Sequence, residues 1–201
     1  MILLLQNIVE TPTPSELKIF FYNPYIVSIF GSVLLSVIGV FLIWFLRPKV
    51  KIAPYIAKLT KDGKDTIMLK VINKSYLFQL IDINFELTML KPVSTPKGMN
   101  IAIEHVGLVS KHLWFLSRRK FRKNSKGFAT FAIVIRVDPE FDLIDAWKNN
   151  ANNGTYFDLK VIAKNNFSGI TSITHQKFDH SSCIKNGEFC HGNSFDIENG
   201  F

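Results

Sequence analysis

The stretch HQKFDHSSCIKNGEFCH, His175 to His191, gathers the side chains best suited to holding a metal. His180, Cys183, Cys190 and His191 have the donor types of a tetrahedral zinc set. Their spacing is not that of a zinc finger. Adjacent Cys190 and His191 would also face opposite sides of a strand. Lys185-Asn186-Gly187 reads as a hairpin turn that brings Cys183 and Cys190 near each other. In a reducing compartment the two would remain free thiols. The expectation is ordinary strand residues, with no metal and no cofactor.

Carboxylates cluster at Asp138, Glu140, Asp142 and Asp145. Paired carboxylates can act as acid and base, but negative charge at a helix start is ordinary. His105 and His112 have no Ser, Cys or Asp at a spacing that predicts a relay. The glycines fall at turns, and no phosphate-binding loop is present. Enzymatic activity is therefore not expected.

The strongest chemical feature is charge. The chain of 201 residues has a formal net charge of +8, which favours anionic partners. Ser117 to Gly127 reads SRRKFRKNSKG. There Arg118, Arg119, Lys120, Arg122, Lys123 and Lys126 surround Phe121, behind Leu113-Trp114-Phe115. Between two strands this reads as a protruding hairpin tip. Facing an anionic bilayer, each cation contributes roughly 1 kcal/mol, and Phe121 can enter the interface. An acidic protein partner or a plain solvated loop fits the same composition. Nucleic acid fits it less well, because a membrane anchor would hold the loop elsewhere.

That anchor is the element which must position everything else. Tyr25 to Leu46, YIVSIFGSVLLSVIGVFLIWFL, is a run of 22 residues without a charge. At roughly 1.5 Å per residue a helix of this length covers about 33 Å, matching a hydrocarbon core of about 30 Å. Aromatic residues flank it, and Arg47, Lys49 and Lys51 follow at once. The run is too long for a signal peptide, with no basic segment before it and no small-residue cleavage site after it. Residues 1–24 carry Lys18 alone, whereas Arg47, Lys49, Lys51, Lys58, Lys61 and Lys64 follow the span. The cation bias predicts an N-terminal tail outside, a span over 25–46, and residues 47–201 in the cytoplasm at the plasma or inner membrane. Ser28, Ser32, Ser36 and Gly39 form one stripe, which suits self-association of spans into a homo-oligomer. The alternative for the serines is a hydrogen bond back to the i−4 carbonyl.

Beyond the span the sequence alternates with a period of two. Ile81, Ile83, Phe85, Leu87 and Met89 predict one buried face of a strand. Ile67, Leu69 and Val71 predict another, as do Phe131, Ile133, Ile135 and Val137. Further strands are expected over 50–59, 100–108, 156–163, 170–178 and near 187–197. Asp138-Pro139 predicts the start of one short helix carrying Phe141, Ile144 and Trp147. About eight strands with one helix imply a mainly β fold, a sandwich.

Asn152-Asn-Gly-Thr-Tyr156 before a strand resembles the tyrosine corner of immunoglobulin-like domains. In that family a core residue stands two after the Tyr, where this chain has Asp158. The resemblance thus implies an Ig-like β-sandwich architecture and nothing more specific. Together these features predict a single-pass binding or adaptor protein, presenting the sandwich at the inner face of the membrane to an unidentified protein or small ligand. Two other readings share the sequence. One is an effector whose gathered spans perturb the bilayer. The other is an envelope or adhesion module with the sandwich outside.

Overall fold

In a computed structural model the described residues are 24–61, 63–75, 77–118, 131–150, 154–179 and 181–198. They divide between Phe45 and Leu46 into two units. The first holds helix α1, Pro24–Leu46, up to Phe45; the helix ends on the first residue of the second unit, and none of its residues is buried. It is long and apolar enough to cross a membrane. Proline at its first position suits a helix start, since the missing N–H would have had no helical partner.

The second unit is a sandwich of two sheets. One contains β1 (Val50–Ile52), β2 (Ile56–Lys61), β3 (Lys64–Asn73), β7 (Ala132–Arg136) and β10 (Ile184–Asn186). β3 is central, with β7 on one side and β1 and β2 in succession on the other. The single strand expected over 50–59 is split at Ala53-Pro54. The Ala53 N–H nevertheless continues the ladder by donating to the Lys70 carbonyl at 2.8 Å. The other sheet contains β4 (Leu80–Thr95), β5 (Gly98–Val106), β6 (His112–Leu116), β8 (Tyr156–Asn165) and β9 (Thr171–Phe178). β5 and β6 share one edge of β4, while β8 and then β9 lie on the other.

The facing sides of the sheets form the main core. It joins Leu69, Val71 and Ile135 to Phe85, Leu87, Met89, Phe157, Leu159, Val161 and Phe178. The expected inward sets on β3, β4, β7 and β8 are largely those observed. Ile81 is the exception. Asp82 adopts a φ of 50° and the register shifts between Ile81 and Asn84, so Leu80 and Ile83 take the core positions. An extra residue in one strand turns the alternation over.

Helix α2 is Leu143–Asn150, later than Asp138-Pro139 suggests. Val137 is still bridged to Leu108, and the Asp138 N–H donates to the Gly107 carbonyl at 3.0 Å. The chain leaves the sheet only after that point. Asp142 is the N-cap, accepting from the Asp145 N–H at 2.9 Å. Trp147 packs edge-on against Phe157, with centroids 5.1 Å apart. The acidic residues therefore serve the turn and the cap.

The C-terminal segment departs most from expectation. Lys185-Asn186-Gly187 is not a hairpin turn. β10 runs parallel to β2, then β11 (Glu188–Phe189) pairs with β12 (Ile197–Glu198). This segment covers the outer face of the first sheet, where Phe189, Phe195 and Ile197 pack on Ala53, Ala57 and Met68. β3 is consequently buried on both faces, and Lys70, an outward position by alternation, is 2% exposed. Its Nζ donates to the carbonyls of Cys190 at 2.5 Å and Ser194 at 2.7 Å.

Burial pushes the Lys70 pKa below its ordinary 10.5, and nearby Cys190 and Asp196 only partly offset this. Between the folded-state value and 10.5 the unfolded chain binds more protons, so stability rises with pH across that window. In a Cys190→Ser background, urea unfolding in detergent should show this gain between Lys70 and its Lys70→Met variant. Parallel pH profiles would mean that Lys70 is as solvated as in the unfolded chain.

Candidate functional site

Of the sites expected from sequence, three fall on described residues in useful detail. The serine stripe of α1 is satisfied internally. Ser28, Ser32 and Ser36 Oγ donate to the carbonyls of Pro24, Ser28 and Ser32 at 2.7, 2.8 and 2.8 Å. Their small size remains, together with Gly39, but the hydroxyls already have acceptors. Of the possible metal donors, Cys183 and Cys190 are free and half-buried. Burial and the Glu198 carboxylate act together on Cys190: its thiol donates to Glu198 Oε1 at 3.2 Å, and this hydrogen bond leads in pushing the thiol pKa up. Among the described residues no three His, Cys, Asp or Glu side chains are grouped to hold a metal. His180 lies outside the described residues.

In the cationic set, Arg47, Lys49 and Lys51 are exposed. The Lys51 ammonium lies over the Phe195 ring, 5.2 Å from its centroid, which turns it towards the C-terminal segment. Arg118 is exposed at the end of β6. β6 pairs with β4 and β7 pairs with β3, in different sheets, so the strands flanking the basic stretch are not the two arms of a hairpin. Arg119, Lys120, Phe121, Arg122, Lys123 and Lys126 lie outside the described residues. The described residues on either side of them converge on one residue, however. The Asn73 amide Nδ2 donates to the Ser117 carbonyl at 3.0 Å, and the Asn73 backbone N–H donates to the Phe131 carbonyl at 2.9 Å.

Asn73 belongs to a pair that sequence reasoning missed. It ends β3, is 0% exposed, and its Oδ1 accepts from the Ser75 N–H at 2.8 Å. Its Nδ2 also donates to the Phe78 carbonyl at 3.1 Å. Asn165 ends β8, is 1% exposed, and its Oδ1 accepts from the Phe167 N–H at 2.8 Å. Its Nδ2 donates to the Leu46 carbonyl at 2.5 Å, which Ser168 Oγ also approaches at 3.3 Å. Ser172 Oγ holds the Pro48 carbonyl in turn. The signal was available: asparagine at a strand end followed by serine is the composition of an Asx turn.

These bonds bring residues 46–49, the β3–β4 connection, the end of β6 and the β8–β9 turn to one end of the sandwich. Leu77, Phe78, Gln79, Arg118, Asn166 and Phe167 line a hollow there of about 400 Å³. Phe78 and Phe167 stack with centroids 5.7 Å apart and planes 24° apart. Leu77 and Phe167 are 56% and 77% exposed.

The opposite end carries a second surface. β4 runs 16 residues, about 50 Å at the usual strand rise, and its pairing with β8 stops at Leu90. Lys91–Thr95 and Gly98–Ala102 continue as a two-stranded projection turned by Pro96-Lys97. Gly98 takes a φ of 133°, which glycine alone adopts without strain. Met99, Ile101 and Ile103 alternate along one face of β5 and are 75%, 59% and 63% exposed. Among the described residues β5 pairs with β4 alone.

No family model matches the chain, and no curated protein matches it. Among solved structures the crystal structure of the periplasmic chaperone SfaE is similar, with a TM-score of 0.34 and 10% identity. The match covers 64% of this chain and 54% of that one. So loose a likeness says nothing of function.

Asn165→Ala removes a buried donor and acceptor that serve three backbone groups. Leaving such groups unsatisfied should lower stability by about 1–3 kcal/mol in urea unfolding, and Asn73→Ala should do the same. A change within error for both would mean that water replaces these amides. For the α1 stripe, where the small size of the residues remains, Ser32→Leu with Ser36→Leu should lower crosslinking between copies. Unaltered crosslinking would count against helix association.

Proposed function

We propose that this is a single-pass membrane protein that holds a protein partner at the inner face of the membrane. The observation that carries the reading is α1. It offers 23 helical residues without a charge, buries none of them, and gives way within one residue to a run of cations. In lipid such a helix satisfies its own backbone. The cation bias favours an outside N-terminus and a cytoplasmic sandwich.

The partner surface in this reading is the β4–β5 projection. An unpaired strand edge with an apolar face suits an extended segment of another protein, which gains ladder hydrogen bonds and side-chain contacts together. Such an edge also invites aggregation unless a partner covers it. The face offered by Met99, Ile101 and Ile103 is large for a surface without an occupant.

Two experiments test this. After alkaline carbonate extraction the full-length chain should stay with the membrane, and a reporter fused at its C-terminus should be active in the cytoplasm. Release of a shorter chain starting beyond Leu46, or activity only outside, would make α1 a signal sequence or reverse the topology. A photo-crosslinker at Ile101 should give a discrete protein adduct that Met99→Lys with Ile103→Lys abolishes. A lipid adduct alone, or none, would remove the projection as the partner surface.

A further inference from the structure

The end of the sandwich opposite the projection carries an apolar surface of its own. Leu77 and Phe167 stand out into solvent beside the half-buried Phe78 ring. The turns they occupy are already fixed by Asn73, Ser75 and Asn165, through the Ser75, Phe78 and Phe167 N–H groups. Exposed aromatic and aliphatic side chains beside cations are the composition found at the headgroup level of bilayers.

Position along the chain decides which surface they meet. Phe167 sits two residues from Asn165, whose amide holds the Leu46 carbonyl. Leu46 is the last residue of the charge-free run. The Asn166 N–H donates to the Gln79 carbonyl at 3.1 Å, which ties the Leu77–Gln79 segment to the same turn. Arg118 borders the hollow beside them. The residues flanking the basic stretch, Ser117 and Phe131, are both held by Asn73 in the same region.

We infer that Leu77, Phe78 and Phe167 form a wedge seated in the headgroup–acyl interface of the bilayer that α1 crosses, with Arg118 on lipid phosphate. This rests on the reading of α1 as a membrane span. The wedge gives the sandwich a second attachment beyond its covalent tether. Apolar side chains supply the depth, and the guanidinium supplies a charge-assisted bond to a phosphate. The wedge is built on turns closed by two buried asparagines.

Spin labels on the full chain test it in vesicles of phosphatidylcholine mixed with phosphatidylglycerol. Cys183→Ser with Cys190→Ser provides the background. Single cysteines replace Leu77, Phe167, Met99 and Leu42 in turn. Leu77 and Phe167 are exposed, so labelling them leaves the core intact. Labels at 77 and 167 should collide with a water-soluble nickel complex several-fold less often than the label at 99, and more often than the label at 42. Arg118→Gln should raise the collision rate at 167. If 42 is shielded while 77 and 167 match 99, the wedge is wrong and the anchor stands. If 42 is as exposed as 99, the anchor fails and the wedge with it. A rate at 167 indifferent to Arg118→Gln would remove the phosphate contact.

Discussion

A buried amide must find partners for both its donor and its acceptor, and at Asn73 and Asn165 that requirement organises one end of the sandwich. Each side chain lies in the core at the end of a central strand. Each can be satisfied only by turning the chain back at once and by reaching across to a neighbour. Asn165 reaches to Leu46. The Asn73 amide reaches to Ser117, before the basic stretch, and its backbone N–H meets Phe131, after it. The entry of the chain, two turns and the departure point of the cations are thereby gathered in one place. Apolar packing between the sheets holds the domain together, but it does not choose which surfaces meet at that end.

The far end follows from a different rule. β4 outlasts its partner β8, so among the described strands its last five residues pair with β5 alone. A two-stranded ribbon without a layer beneath it cannot bury its side chains, and the apolar residues of β5 stay exposed. A surface of this kind is stable in water only at some risk of unwanted pairing. The exposed face of β5 is the surface that the proposed partner would cover.

The sequence made the coarse organisation legible for simple reasons. A long apolar run without a charge forms a helix, and a period of two forms a strand. Ile67, Leu69 and Val71, and likewise Phe157, Leu159, Val161 and Ala163, are inward as their alternation implies. What alternation cannot register is an extra residue, such as Asp82, or a second layer laid on from far along the chain. Lys70 reads as an outward cation until the C-terminal segment, 120 residues on, arrives to cover it. The three-residue parallel pairing of β10 with β2 is equally non-local. Asp142 rather than Asp138 caps α2 because a single bridge prolongs the preceding strand, which no local pattern reveals. Of the expected binding residues, those at the end of α1 and at Arg118 lie in the same region of the sandwich, whereas Lys51 turns away to Phe195.

All of this gives the chain a direction only if lipid ends where the charge begins. The most direct test is a scan of single cysteines from Ile38 to Lys51, in a background lacking Cys183 and Cys190, probed with a membrane-impermeant maleimide. In inside-out vesicles the account predicts no labelling up to Phe45 and rapid labelling at the exposed positions 47, 49 and 51, all three silent in right-side-out vesicles. Uniform labelling across residues 38–51, or labelling beyond 47 only from the outer side, would contradict it.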